Sequence, residues 1–293
     1  MTDPLSEKMA GQFPNIMLRG DQSSGYAPCQ YGNVESHSAH VLGIKTSTAE
    51  TKGVLAGIGG MVSVICLGIA LTAIIAGKGY WEFVIFLSVG SIFGVLAFSW
   101  ELYRPFPLPI IFNRRIQEIY YDLNGKLYHA PWEGIEAVAY EYRNVNQYTG
   151  GMTHANLELI LHRFSDPEDC IVLNIGGHPA GKRAETLAAL WEYLRAFMNV
   201  GPWFDGNGQK APRKTPFITE QLEKSEYSSK DNLKLSRRDV QRYKEAGEPV
   251  PVSIWMVWFG NLVFHPMSLI QSYTYRLCRA RICIHWRTVA RLF

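Results

Sequence analysis

A chain of 293 residues with 29 Lys and Arg against 26 Asp and Glu carries a formal net charge of +3, too small to argue for nucleic acid as a partner. The five cysteines, Cys29, Cys66, Cys170, Cys278 and Cys283, are odd in number and irregularly spaced. That argues against a disulfide framework and suits a reducing compartment.

Residues 1–52 are rich in Gly, Ser, Pro, Gln and Asn and show no apolar period. They predict a polar, largely disordered N-terminal tail, with no apolar signal-peptide core.

Residues 53–100 organise the rest. Gly53 to Gly77 contains no ionisable residue, Gly77-Lys78-Gly79 is a turn, and Tyr80 to Trp100 is a second apolar run. Each run holds 11 Leu, Ile, Val or Phe residues. About 20 apolar residues in a helix cross the hydrocarbon core. The spacing therefore predicts an antiparallel transmembrane hairpin. Tyr80, Trp81, Trp100 and Tyr103 stand at the ends of its second helix as interfacial aromatics do. Gly53-xxx-Gly57 and Gly90-xxx-Gly94 would let the two backbones approach. Lys45 and Lys52 before the pair and Arg104, Arg114 and Arg115 after it outnumber Lys78 in the turn, which puts both long flanks in the cytoplasm.

Residues 104–200 read as a compact cytoplasmic domain. Short β-type runs cover Ile110–Phe112, Ile116–Leu123, Lys126–Ala130, Ile135–Tyr142, Leu157–Leu161 and Cys170–Ile175. Asn124-Gly125 is a type I′ hairpin signal, and Asn144 to Thr153 reads as a polar loop. Leu187, Leu190, Trp191, Leu194, Phe197 and Met198 then make one helical stripe, ended by Gly201-Pro202. The expected fold is an α+β membrane protein: the hairpin, then a small antiparallel sheet or partly open barrel capped by one C-terminal amphipathic helix.

Phe112-Asn113-Arg114, Ile119-Tyr120-Tyr121 and Pro131-Trp132-Glu133, following a two-helix hairpin, resemble bacterial membrane proteins with a pleckstrin-homology-like domain. More narrowly, the chain resembles a proteobacterial two-span family associated with type VI secretion effector loci. The resemblance covers roughly residues 50 to 205. It implies a bacterial inner-membrane, multi-pass protein that serves as an immunity or accessory protein for a secreted effector.

Residues 201–249 read as a charged linker with helical pieces. Val250 to Phe264 is apolar and aromatic but too short for a clean span, and it suits an interfacial or re-entrant segment, with a third span reaching Ile270 and a buried helix packed on the domain as the alternatives. Arg276 to Phe293 has five Arg and no acid, with Ile282, Trp286, Val289 and Phe293 on one helical face and Arg276, Arg279, Arg287 and Arg291 opposite. That is a basic amphipathic helix suited to an anionic leaflet, so Arg276, Arg279, Trp286, Arg287 and Arg291 are expected membrane-surface contacts.

No G-x-S-x-G, H-E-x-x-H, P-loop or G-x-G-x-x-G occurs. Cys170 with His162 and His178 reads as a buried strand cysteine near surface histidines, and Cys278, Cys283 and His285 lack a fourth ligand for zinc. The expectation is a non-enzymatic protein without metal or cofactor. Its partners would be the lipid bilayer and an unidentified protein, with no nucleic acid. Tyr140, Tyr142 and Arg143 are the candidate protein-contact residues, being aromatics beside Arg at an edge expected to be exposed. The alternative is an anionic-lipid-sensing or membrane-remodelling module working through the Arg-rich C-terminal helix.

Overall fold

The structure is a computed structural model and describes residues 15–77, 79–146, 150–176, 183–213, 215–225, 237–238, 240–245, 247, 255, 258 and 265–278. It is α+β, with two long apolar helices and a curled antiparallel half-barrel sheet. The chain divides into two bodies, residues 1–50 with 107–226 and residues 51–106 with 227–293.

The first body holds nine strands: β1 (Asn15–Arg19), β2 (Val34–His37), β3 (Val41–Ile44), β4 (Ile110–Asn113), β5 (Glu118–Leu123), β6 (Lys126–Pro131), β7 (Glu136–Asn146), β8 (Gly150–Arg163) and β9 (Asp166–Asn174). Their order is β1-β7-β8-β6-β5-β4-β3-β2, with β9 also on β8. From Gly150 to Leu159 β8 pairs with β7, and at His162 and Arg163 it pairs with β6. Two strands thus share one edge of β8, and the sheet curls there. Asn124 and Gly125 join β5 to β6 with φ of 54° and 82°, the positive pair that a type I′ turn demands.

Strand alternation selects the interior. Ala137 and Ala139 on β7 and Ala155, Leu157, Leu159 and Leu161 on β8 point into one core with Leu18, Leu42, Ile44, Ile110, Phe112 and Ile119. Helix α4 (Ala184–Arg195) lies against β1, β7 and β8, where three alanines let it approach closely. Its stripe, Leu187, Leu190, Trp191 and Leu194, is buried. A π-helical turn, Ala196–Val200, continues it and buries Ala196, Phe197 and Met198. Trp132 is the keystone. It stacks on Trp191 at 5.3 Å, meets Phe112 edge-on at 6.3 Å, and donates Nε1–H to Asn199 Oδ1 at 2.6 Å.

Three expectations are corrected in this body. Residues 15–50 are not a disordered tail. They supply β1 to β3, because Leu18, Val34, Leu42 and Ile44 each find the core, and Gln30, Asn33 and Thr46 are buried with them. The loop expected at Asn144 to Thr153 is largely ladder: Arg143 pairs with Thr153, Asn144 with Met152 and Asn146 with Gly150. Backbone pairing is indifferent to polar side chains, so composition misplaced the turn. The linker expected from residue 201 begins later. Phe204 and Ile218 are fully buried, and α5 (Pro216–Ser225) offers Gln221 as partner to Gln30.

Between β3 and β4 the chain departs through a short helix α1 (Ser47–Glu50) and the second body. Ile44 pairs with Ile110, so the two strands are direct antiparallel neighbours and the helical pair is an insertion in their connection.

The second body is built on α2 (Val54–Ile75) and α3 (Tyr80–Tyr103). Both helices are long and apolar enough to cross a membrane, and most of their apolar length is left unburied. Their contact runs through small residues. A Cβ on Gly59 would collide with Ala97, one on Gly90 would lie 2.8 Å from Cys66 Cβ, and Ser63 donates to the Gly90 carbonyl at 2.6 Å. Gly90 and Gly94 act as expected. Gly53 and Gly57 do not face α3: they meet the backbone of Gln271 and Met267, in a helical stretch 265–278. At the open end Lys52 Nζ donates to the carbonyls of Glu101 and Arg104, both at 2.6 Å, with Glu101 Oε2 at 3.7 Å. Glu101 Oε1 in turn accepts the Leu55 N–H at 3.3 Å. A cation thus closes the C-terminus of α3 and an anion the N-terminus of α2, each opposite the favourable end of a helix dipole.

Candidate functional site: the outer face of β7, β8 and β9

Opposite the core, β7 presents Val138, Tyr140 and Tyr142, β8 presents His154, Asn156, Glu158 and Ile160, and β9 presents Val172 and Asn174. Register sets Tyr140 directly across from Asn156, and Glu158 across from Asn174. The side chains join in one chain of hydrogen bonds. Tyr140 Oη donates to Glu158 Oε1 at 2.7 Å, and Asn156 Nδ2 donates to Tyr140 Oη at 3.0 Å. Asn174 Nδ2 donates to Asn156 Oδ1 at 2.9 Å, and the Gly176 N–H donates to Asn174 Oδ1 at 3.0 Å.

Tyr140 is buried, not exposed as expected; with Val138 it forms a small apolar cluster that Tyr142 and Ile160 join. Burial and then the Glu158 carboxylate push the Tyr140 phenol up to about 12. At neutral pH it is therefore a proton donor in a fixed bond and not a phenolate nucleophile. Tyr142 is half-buried and stacks on His154 at 5.3 Å, and Arg143 is exposed. Of the three contact residues expected, Arg143 offers a free surface, Tyr142 a partial one and Tyr140 a buried anchor. On the other β7 face Glu141 Oε1 accepts the Ala184 N–H at 2.8 Å, a carboxylate holding the N-terminus of α4.

Elsewhere on the sheet exterior Tyr120 stacks on His129, and His129 meets the exposed Phe164 at 5.0 Å. The Tyr120 hydroxyl donates to Glu118, and burial with that carboxylate pushes Tyr120 up to about 12. His162 stands across from Cys170 in register, with Nδ1 at 2.9 Å from the Pro167 carbonyl. Cys170 is exposed, not buried as expected, because it lies on the outer strand β9. Among the described residues no group of three or more His, Cys, Asp or Glu is gathered as a metal site.

Arg276 is exposed on the helical stretch 265–278. Arg279, Trp286, Arg287 and Arg291 lie outside the described residues, as do His178, Cys283, His285 and most of Val250–Phe264. Sequence reasoning passed over Asn156, Glu158 and Asn174, whose alternation with leucines imitates a plain solvated strand face. It also passed over Glu192, buried on α4, which accepts the Arg195 guanidinium at 2.7 Å and the hydroxyl of Ser23 at 3.3 Å.

Comparison of the chain with protein-family models, with curated proteins and with solved structures gives no match.

Proposed function

We propose that this protein is a non-enzymatic, membrane-anchored binding module: α2 and α3 fix it in the bacterial inner membrane, and a pleckstrin-like sheet body meets a protein partner in the cytoplasm. One observation carries the anchor. The apolar surfaces of α2 and α3 are left bare, an arrangement that lipid satisfies and water does not. The insertion of the pair between adjacent strands supports one-sidedness, since the chain returns to Ile110 beside the Ile44 that it left. The role as immunity or accessory protein for a type VI secretion effector rests on the resemblance of the hairpin and the Phe112-Asn113-Arg114 and Trp132 segments.

Two measurements test it. Lys78→Cys is expected to react with an impermeant thiol reagent only from the periplasmic side, and Asn207→Cys only after the membrane is opened. Co-expression with toxins encoded next to this gene is expected to restore growth and to yield a complex in detergent. Labelling of both cysteines from one side refutes the topology, and absence of protection and complex refutes the immunity role.

The exposed Arg276 favours a second reading, contact with anionic lipid. Flotation of the whole protein with and without anionic vesicles separates the two.

A further inference from the structure

Among the described residues the sheet has open edges, and they are not alike. The β9 edge carries Asp166, Pro167, Glu168 and Asp169, and the β2 edge is broken by a register shift between Val34 and Ser36. Proline, clustered charge and bulges are the devices that keep strand edges from pairing. β1 has none of them. Asn15-Ile16-Met17-Leu18-Arg19 runs in unbroken register with β7, and its one charge is satisfied by Glu136, 2.7 Å from the Arg19 guanidinium.

Two hydrogen bonds settle which backbone groups of β1 face outward. The Gly20 N–H donates to the Ile135 carbonyl, so position 20 bonds toward β7, and by alternation Leu18 and Ile16 do too. Asn15, Met17 and Arg19 then point the other way. The Arg19 carbonyl shares this parity but is already taken, for it accepts Trp191 Nε1–H from α4 at 3.1 Å, which leaves Met17 as the open centre of the edge. Among the described residues β1 pairs with β7 alone, which leaves the Met17 N–H and C=O without a strand partner. The Met17 side chain is 46 % exposed.

This edge is complementary to itself. An antiparallel two-fold centred on Met17 sets Met17 opposite Met17 of a second copy, as a pair exchanging two hydrogen bonds. It sets Arg19 opposite Asn15, so no like charges meet, and Ile16 opposite a Leu18 that is already buried in its own core. We infer that β1 is a homotypic pairing edge through which two copies of this chain join their sheets, β1 to β1, in the membrane. So short an edge buries less than a stable soluble dimer needs, and confinement by α2 and α3 supplies the local concentration. The inference therefore rests on the membrane reading above.

The experiment uses the full chain in native membranes, with the native cysteines replaced by alanine. Carbonate washing first shows whether the protein stays in the membrane pellet; its loss there would defeat the anchor reading itself. In the retained protein, Met17→Cys treated with a short bifunctional thiol reagent is expected to give a covalent homodimer. Phe164→Cys, at a still more exposed position on the β8–β9 hairpin, is expected to give none. Met17→Pro removes an outward N–H and no sheet bond, so it is expected to convert dimer to monomer in lipid nanodiscs by native mass spectrometry, with thermal unfolding unchanged. Equal cross-linking of the two cysteine variants overturns the inference. So does a Met17→Pro dimer, a wild-type monomer in nanodiscs, or cross-linking of Met17→Cys to a different protein in place of a second copy.

Discussion

In the sheet body, large side chains fill the space between α4 and the strands: Trp132, Trp191, Phe112, Tyr193 and Phe197 are all buried. In the helical body, α2 and α3 touch where side chains are nearly missing, at Gly59, Ser63 and Cys66 against Gly90, Gly94 and Ala97. The first body is stabilised by volume and the second by its absence. Taking volume away should therefore weaken the first body most, and adding it should weaken the second. Burial of apolar area drives folding in water, whereas helices within lipid gain nothing from it and associate by close backbone packing.

The largest effect is expected from Trp191→Ala. It empties the centre of the sheet body, removes the stack on Trp132 and orphans the Arg19 carbonyl, for a loss of about 4 kcal/mol. Denaturant unfolding followed by Trp fluorescence measures it, and a loss under about 1 kcal/mol would mean that α4 is not part of this core.

Next comes acid. His37 sits among Tyr193, Phe197 and Trp203, and burial pulls it down to about 4. The unfolded chain takes up this proton near pH 6.5 and the folded one does not. Stability is thus complete above that pH, falls as pH drops toward 4 and is level below, by about 3 kcal/mol in all. His37→Phe is expected to flatten this part of the stability–pH curve. An unchanged slope would show that His37 is reached by water.

The smallest expected effect sharpens the contrast most. Gly90→Leu adds volume where Cys66 and the Ser63 backbone already press, and should cost roughly 1–3 kcal/mol of helix pairing. Gly68→Leu, on the same pair but with nothing within 4 Å of an added Cβ, should be silent. Inter-helix disulfide trapping in vesicles reads both, and equal outcomes would remove the glycine contact as the organising feature.

Much of the second body was readable because its signal is local. An uninterrupted apolar run and a two-glycine turn need no distant partner to be interpreted. In the first body the local signals held as well, notably Asn124-Gly125 and the leucine alternation from 157 to 161. The N-terminal strands escaped because each has only four or five residues and one or two buried anchors. Their partners lie far along the chain: Arg19 meets Glu136 across 117 positions. The candidate site was half legible. Tyr140 and Tyr142 stand out by type. That Tyr140 is buried, and that Asn156, Glu158 and Asn174 form its polar surroundings, depends on which strands become neighbours, and no spacing within β7 records that.

The splice of α2 and α3 into the link between β3 and β4 also dictates an order of events during synthesis. β1 to β3 leave the ribosome before the helical pair, and they cannot complete their sheet until β4 emerges after it. The growing chain must therefore make the whole helical pair while β1 waits for β7 and the β2–β3 pair waits for β4. Removing residues 51–106 and bridging the short gap with a few glycines would lift that obligation.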